Sequence, residues 1–104
     1  MILKASDCLE TIDVLVNNAG LGGQNSLEEM PDDVWNNIID VTLNGTMRVM
    51  RASIPYLKKT QGVIVNNASV LGWRAQKDQT HYAAAKAGVM ALTRCTAVEL
   101  AEYN

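Results

Sequence analysis

The sequence contains the same apolar run with a polar end at two places. "DVLVNNAG" covers residues 13–20 and "GVIVNNAS" covers residues 62–69. In each copy three aliphatic residues precede two asparagines and an alanine, without the apolar–polar alternation of a half-exposed strand. Short continuous apolar runs are typical of strands that are buried on both faces of a parallel sheet. We therefore predict two parallel strands, at residues 12–16 and 62–65.

A long helix is predicted between the two strands, and a second one after them. The first covers residues 31–59, because a proline and two carboxylates at its start suit the first turn of a helix. Apolar residues recur along it at helical spacing, and Gly45 is expected to interrupt it. The second helix covers residues 80–103 and is rich in alanine, with Thr80 or Asp78 as its N-cap.

The predicted order is therefore strand, helix, strand, helix, and residues 1–10 look like the end of a preceding helix. A strand–helix–strand connection in a parallel sheet is almost always a right-handed crossover. The fold class that follows is α/β, with part of a doubly wound parallel sheet. Ligands of such sheets bind just beyond the carboxyl ends of the strands, so both asparagine-containing ends are expected to face one crevice.

Composition and charge narrow the classes of function. The chain has 104 residues, enough for one domain, of which 48% are hydrophobic and 19% are charged. Its net charge is −2 and its basic residues are scattered, so no nucleic-acid partner is expected. Cys8 and Cys95 lack the spacing of metal ligands, so no metal site is expected. We find neither a signal peptide nor an apolar stretch that could span a membrane, and we expect a cytoplasmic protein.

Three side chains near the predicted strand ends could carry chemistry. Tyr82 and Lys86 are four residues apart in "YAAAK" and share one helix face, where the ammonium would lower the pKa of the phenol. Ser69 closes the second strand and could hydrogen-bond a substrate oxygen. The alternatives are a surface tyrosine–lysine pair, a serine that serves only the turn, and an "NNAG" that only turns the chain. His81 is predicted to be a surface or subunit-contact residue.

Taken together, these features resemble the short-chain dehydrogenases/reductases. The resemblance rests on "NNAG" after a strand, a serine thirteen residues before a tyrosine, and Y-x-x-x-K at the start of a long helix. It covers about residues 10–104, and within the family the wording is most similar to the 3-oxoacyl-thioester and hydroxysteroid reductases. The resemblance implies a Rossmann-type fold, NAD or NADP as cofactor, and a small-molecule substrate that is interconverted between a secondary alcohol and a ketone.

The resemblance also implies catalytic roles for individual residues. Tyr82 would be the acid/base, Lys86 would lower the pKa of that tyrosine, and Ser69 would orient the substrate. The family has an asparagine in the long helix that anchors a water of the proton relay. The matching context here reads "VTLNG", which places Thr42 at that position. Asn44 would point about 200° away around the helix and is a poor substitute.

The cofactor-binding residues implied by the family are Asn18, Ala19 and Gly20, on the adenosine side, together with Tyr82 and Lys86 at the nicotinamide ribose. The family's glycine-rich loop, G-x-x-x-G-x-G, does not occur in this sequence. We therefore expect residues 1–104 to be the central part of one NAD(P)-binding domain, lacking the N-terminal glycine-rich βαβ unit and the C-terminal strands.

Three interpretations remain open at this point. The first is an oxidoreductase segment, which the family implies would form a homo-oligomer through its two long helices. The second is a truncated, catalytically inactive remnant of such an enzyme, and the third is a small α/β interaction module. The presence of Ser69, Tyr82 and Lys86 favours the first, whereas the absence of the glycine-rich loop favours the second for the isolated chain.

Overall fold

The computed structural model describes residues 2–103 and confirms the predicted order of elements. The helices and strands are α1 (Ile2–Leu9), β1 (Val14–Asn17), α2 (Asp32–Ile39), α3 (Gly45–Thr60), β2 (Val63–Asn66) and α4 (Thr80–Glu99). A π-helical turn, Asp40–Asn44, joins α2 to α3, and short 3-10 turns are formed by Val70–Gly72 and Ala101–Tyr103. No helix in this described part of the chain is long and apolar enough to cross a membrane.

The two copies of the sequence repeat lie next to each other as a parallel strand pair. Val14 is paired with Val63 and Asn17 with Asn66, so the copies are in register along their whole length. Beyond the backbone ladder, the Nδ2 group of Asn17 donates a hydrogen bond to Oδ1 of Asn66 at 2.9 Å. The repeat therefore supplies matching amide side chains where the two strands end.

The prediction that both strand faces are buried is wrong for the described residues. Val14, Val16, Val63 and Val65 are 48–61% exposed and project from the same face of the sheet. The residues between them are partly buried on the other face. The physical reason is that α3 packs on one side of the strand pair, and no other described element covers the opposite side.

The predicted helix over residues 31–59 is divided by a change in helix type. The backbone follows an α-helix to Ile39, widens into the π-helical turn, and resumes as α3 from Gly45 to Thr60. Gly45 does not interrupt the helix, because its φ and ψ angles are −59° and −45°. Single π-helical turns are frequent at functional sites. This one places Thr42 in a fully buried position.

The start of α4 also differs from the prediction. Gln79 occupies the N-cap position without a side-chain hydrogen bond, so neither Thr80 nor Asp78 caps the helix. Instead, Nδ1 of His81 accepts a hydrogen bond from the backbone N–H of Tyr82 at 2.9 Å. His81 is completely buried, and the expectation of a surface histidine is therefore wrong.

The core lies between the helices and holds α4 against the strand ends. Helix α4 packs against α2 and against the π-helical turn, while α3 packs against both strands. The fully or nearly buried apolar residues are Ile12, Ile38, Met50, Leu57, Ala85 and Val89. This packing brings the first two turns of α4 to the carboxyl ends of β1 and β2.

Candidate active site

A cleft of about 480 Å³ opens beyond the carboxyl ends of the two strands. Its lining is polar, and Lys86 is the one charged residue among the described residues that line it. The strand ends, the segments that follow them and α4 contribute Asn18, Gly20, Gly22, Gly23, Gln24, Asn67, Leu71, Gln76, Gln79, Tyr82 and Lys86. A cleft at this end of a parallel sheet is where ligands of α/β folds bind.

Tyr82 and Lys86 face this cleft from the same side of α4. Nζ of Lys86 lies 5.6 Å from the centre of the Tyr82 ring. The ammonium donates a hydrogen bond to the backbone carbonyl of Asn67 at 2.8 Å, which fixes its position just beyond β2. The Lys86 residue is 4% exposed, and burial lowers its pKa from the usual value. Because the charge is poorly hydrated, it interacts strongly with any anion that forms beside it.

A glycine segment, residues 20–23, runs along the first turns of α4. A Cβ atom on Gly20 would lie 3.6 Å from Nζ of Lys86, and one on Gly22 would lie 3.6 Å from the ring of Tyr82. Larger side chains at these positions would fill the space beside the tyrosine and lysine. The sequence interpretation included Gly20 but missed Gly22 and Gly23. Their signal was the "GLGG" run directly after "NNA".

Thr42 is joined to the glycine segment by two hydrogen bonds. Its hydroxyl accepts from the N–H of Leu21 at 3.0 Å and donates to the carbonyl of the same residue at 3.1 Å. Its own carbonyl accepts from the hydroxyl of Thr46 at 2.9 Å. The only proton of the Thr42 hydroxyl is therefore already donated within the protein. The side-chain amide of Asn44 donates to the exposed carboxylate of Asp40, so Asn44 does not take the place of Thr42 at the glycine segment.

Ser69 and Ala19 lie outside the lining of the cleft among the described residues. Ser69 is half-buried, and its Oγ accepts a hydrogen bond from the N–H of Leu71 at 3.2 Å, which caps the short turn after β2. Leu71 itself does line the cleft. Of the predicted site residues, the structure thus brings Asn18, Gly20, Tyr82 and Lys86 to one surface.

The two strand ends are also bonded to each other at the floor of the cleft. Nδ2 of Asn67 donates to Oδ1 of Asn18 at 2.8 Å, and the backbone N–H of Asn67 donates to the carbonyl of Asn17 at 3.0 Å. Asn67 therefore ties β1, β2 and Lys86 together. Both asparagines of each sequence repeat therefore bond across the strands, and the second of each, Asn18 and Asn67, also lines the cleft.

A cleft beyond the carboxyl ends of parallel strands is the ligand site of open α/β sheets, among them the dinucleotide-binding folds. The sequence profile of the family described as short chain dehydrogenase matches residues 1–104. The chain belongs to this family, as its sequence motifs indicated.

Individual relatives agree with this assignment. The (5R,7aS)-5-hydroxy-7a-methyl-1-oxo-2,3,5,6,7,7a-hexahydro-1H-indene-carboxyl-CoA reductase of Mycobacterium tuberculosis is 63% identical over 95 residues, which are 89% of this chain and 36% of that protein. The 3-oxoacyl-acyl-carrier-protein reductase FabG of Thermotoga maritima is 45% identical over 94 residues, covering 89% of this chain and 38% of that protein. The chain thus spans a little over a third of the length of these relatives.

Solved structures of the family share the fold. A short chain dehydrogenase from Mycobacterium smegmatis matches with a TM-score of 0.93 and 56% identity, over 98% of this chain and 43% of that one. The carveol dehydrogenase of Mycobacterium avium, solved in complex with NAD, matches with a TM-score of 0.93 and 35% identity, over 98% of this chain and 38% of that one.

Proposed function

We propose that residues 1–104 are the central, catalytic part of one NAD(P)-binding domain, in an oxidoreductase that interconverts a secondary alcohol and a ketone. One observation carries this proposal. Tyr82 and Lys86 share a helix face that lines the cleft, and the Lys86 ammonium is held there by the carbonyl of Asn67. A surface tyrosine–lysine pair would have neither the burial of this lysine nor a cleft before it.

In this proposal Tyr82 exchanges the proton of the reacting oxygen. When a ketone is reduced, the phenol donates its proton to the carbonyl oxygen while the carbonyl carbon receives a hydride. When an alcohol is oxidised, the phenolate takes the hydroxyl proton. A free phenol titrates near pH 10, so at neutral pH the phenolate has to be stabilised before it can act as a base.

Lys86 supplies that stabilisation. Its positive charge lies 5.6 Å from the centre of the tyrosine ring and is shielded from solvent, which strengthens its attraction for a phenolate. Ser69 is proposed to orient the substrate oxygen from the strand end beside the cleft. Thr42 is proposed to support the site by holding Leu21, whose neighbours Gly20 and Gly22 line the cleft.

The residues present fit a nicotinamide nucleotide, either NAD or NADP. The Lys86 ammonium and the Tyr82 hydroxyl would hold the ribose hydroxyls, and Asn18, Ala19 and Gly20 would lie along the adenosine side. Because Gly20, Gly22 and Gly23 have no side chains, a flat group can approach the backbone of the glycine segment. When bound, the nicotinamide ring supplies or accepts the hydride.

The substrate class is proposed to be a 3-oxoacyl thioester or a ring ketone of steroid-like shape. The names of two relatives support this, since one reduces a CoA thioester that carries fused rings and the other a 3-oxoacyl group on a carrier protein. The two long helices, α3 and α4, are proposed to join two copies of the enzyme.

The test is the substitution Tyr82→Phe in a complete enzyme that contains this segment. Loss of the acid/base should lower kcat by ~10²–10⁴-fold, and Lys86→Ala should be comparably severe. Tyr56→Phe is the matched control, because Tyr56 on α3 also lies beside a lysine, with Nζ of Lys59 5.8 Å from its ring, but does not line the cleft. Steady-state kinetics with NADH and NADPH measure the effect. A Tyr82→Phe enzyme as active as the control would refute the proposed mechanism.

A further inference from the structure

His81 is a buried imidazole with one nitrogen bonded and the other without a partner. The residue has no exposed surface. Its Nδ1 accepts the hydrogen bond from the N–H of Tyr82, so in the neutral ring the proton must be on Nε2. Among the described residues Nε2 has no hydrogen-bond partner. A buried polar atom of this kind is costly, so a function other than packing is expected for the ring.

Nδ1 of His81 accepts from a backbone N–H, that of Tyr82, which has no backbone partner within the helix. The first N–H groups of any helix lack partners within the helix and need a cap. In α4 no side chain at the N-cap position provides one, and the first helical bond runs from the N–H of Ala83 to the carbonyl of Gln79. The N–H of Tyr82 comes just before it and is bonded by His81. The backbone of the proposed acid/base is thus held by its neighbour.

The other end of the same ring lies against the glycine segment. A Cβ on Gly23 would be 3.4 Å from Nε2 of His81, next to the contact between Gly22 and the ring of Tyr82. Just after the segment, the backbone is tied to the loop before α4, because the N–H of Asn25 donates to the carbonyl of Asp78 at 3.1 Å. His81 therefore lies where the glycine segment, the loop before α4 and the first turn of α4 meet.

We propose that His81 is a positioning residue for the proposed reaction. Its Nδ1 holds the backbone N–H of Tyr82, and the other side of its ring packs on the glycine segment, which in turn contacts the Tyr82 ring. The inference rests on the proposed function, because it assigns to His81 the task of orienting the acid/base. His81 does not touch the substrate or the cofactor. It acts through the orientation of Tyr82 and the glycine segment, so its loss should lower kcat by a larger factor than it raises the KM for cofactor.

Two variants of nearly equal size separate this role from simple packing. In His81→Asn the side-chain oxygen can take the place of Nδ1 and accept the N–H of Tyr82, whereas His81→Leu has the same shape without an acceptor. His81→Phe keeps an aromatic ring, slightly larger than imidazole, and controls for the cavity that both smaller residues leave. A small misplacement of a catalytic group costs up to about 100-fold, so we expect His81→Leu and His81→Phe to lower kcat by about 10- to 100-fold, and His81→Asn by less than about threefold.

The measurements are kcat and KM for substrate and cofactor in a complete enzyme, together with amide hydrogen exchange at Tyr82. Faster exchange at Tyr82 in the Leu and Phe variants than in wild type and the Asn variant would support the proposal. Equal exchange and equal kcat in the Asn and Leu variants would overturn it. Exchange does not depend on turnover. A wild-type enzyme without NAD(P)-dependent activity would therefore refute the proposed function, while exchange alone would still decide whether His81 holds the amide.

Discussion

At the scale of single residues, Thr42 shows how one buried hydroxyl connects two distant segments of the chain. The residue is completely buried, and its hydroxyl bonds to both backbone groups of Leu21, twenty-one residues earlier in the chain. The π-helical turn that contains Thr42 is therefore fastened to the glycine segment. This contact fixes the segment that lines the cleft, without placing the Thr42 side chain in the cleft itself.

Removal of the Thr42 hydroxyl should weaken the site without abolishing the chemistry. Thr42→Val keeps the shape of the side chain and leaves the N–H and carbonyl of Leu21 unbonded, which should cost about 1–3 kcal/mol of unfolding free energy. Thr42→Ser keeps the hydroxyl and should be nearly neutral. In a complete enzyme the valine variant should lose less activity than Tyr82→Phe. Denaturant unfolding and kcat measure the two effects.

Two comparisons test this role of Thr42: Thr42→Val against Tyr82→Phe for activity, and Thr42→Val against Thr42→Ser for stability. If Thr42→Val reduced kcat as much as Tyr82→Phe does, Thr42 would take part in the proton transfer itself. If the valine and serine variants were equally stable, the bonds to Leu21 would contribute nothing to the fold.

The sequence predicted the placement of residues that are close together in the chain, but not of those whose contacts are made with distant segments. The spacing of Tyr82 and Lys86 alone places them on one helix face. The burial of His81 and the bonds of Thr42 depend on the glycine segment, which is far away in sequence and has no periodic pattern. No local rule relates a threonine in a helix to the backbone of a distant loop.

At the scale of elements, the repeated asparagine-containing ends explain why the two strands pair in register. The two asparagines of each copy bond to their counterparts in the other copy, so a shift of one residue would break both contacts. The apolar pattern correctly predicted two parallel strands with their ends at one crevice, but not their register. It did not predict the exposed valine face, because a continuous apolar run has the same appearance whether one or both faces are covered within the chain. Helical periodicity likewise does not distinguish the π-helical turn from the α-helix on either side.

The connection from α3 to β2 depends on Gly62. A Cβ at this position would collide with the carbonyl of Asp13 and lie 2.7 Å from Cδ2 of Leu57, so Gly62→Ala should lower the unfolding free energy by about 1–3 kcal/mol. The neighbouring Gln61 has a left-handed backbone, with φ at 54°, and is the matched control. Gln61→Gly should be neutral or stabilising by up to about 1 kcal/mol, because glycine adopts this conformation freely. Thermal unfolding of both variants measures the difference. An alanine at Gly62 without effect would show that β1 does not approach the turn this closely.

At the scale of the whole molecule, the described residues leave apolar surface uncovered in two places. One is the valine face of the strand pair, formed by Val14, Val16, Val63 and Val65. The other is a groove of about 270 Å³ between α3, β2 and α4, lined mainly by apolar side chains. In addition, each of the two strands has one edge without a hydrogen-bonded neighbour in the part of the chain that the structure describes. A two-stranded sheet of this kind is marginally stable and a template for pairing with other chains.

An isolated protein that consists of residues 1–104 should therefore associate and bind nicotinamide cofactors weakly. Weak binding is expected because the pyrophosphate in dinucleotide folds is held by a glycine-rich loop at a helix N-terminus, and G-x-x-x-G-x-G does not occur in this sequence. If the valine face drives association, the double substitution Val16→Lys and Val65→Lys should reduce it. Val98→Lys should reduce association instead if the copies associate through α4, on which this valine is 79% exposed. Sedimentation measures association, and calorimetric titration with NADH and NADPH measures binding. A monomer with micromolar affinity would contradict the prediction and would show that the segment is a self-sufficient cofactor-binding domain.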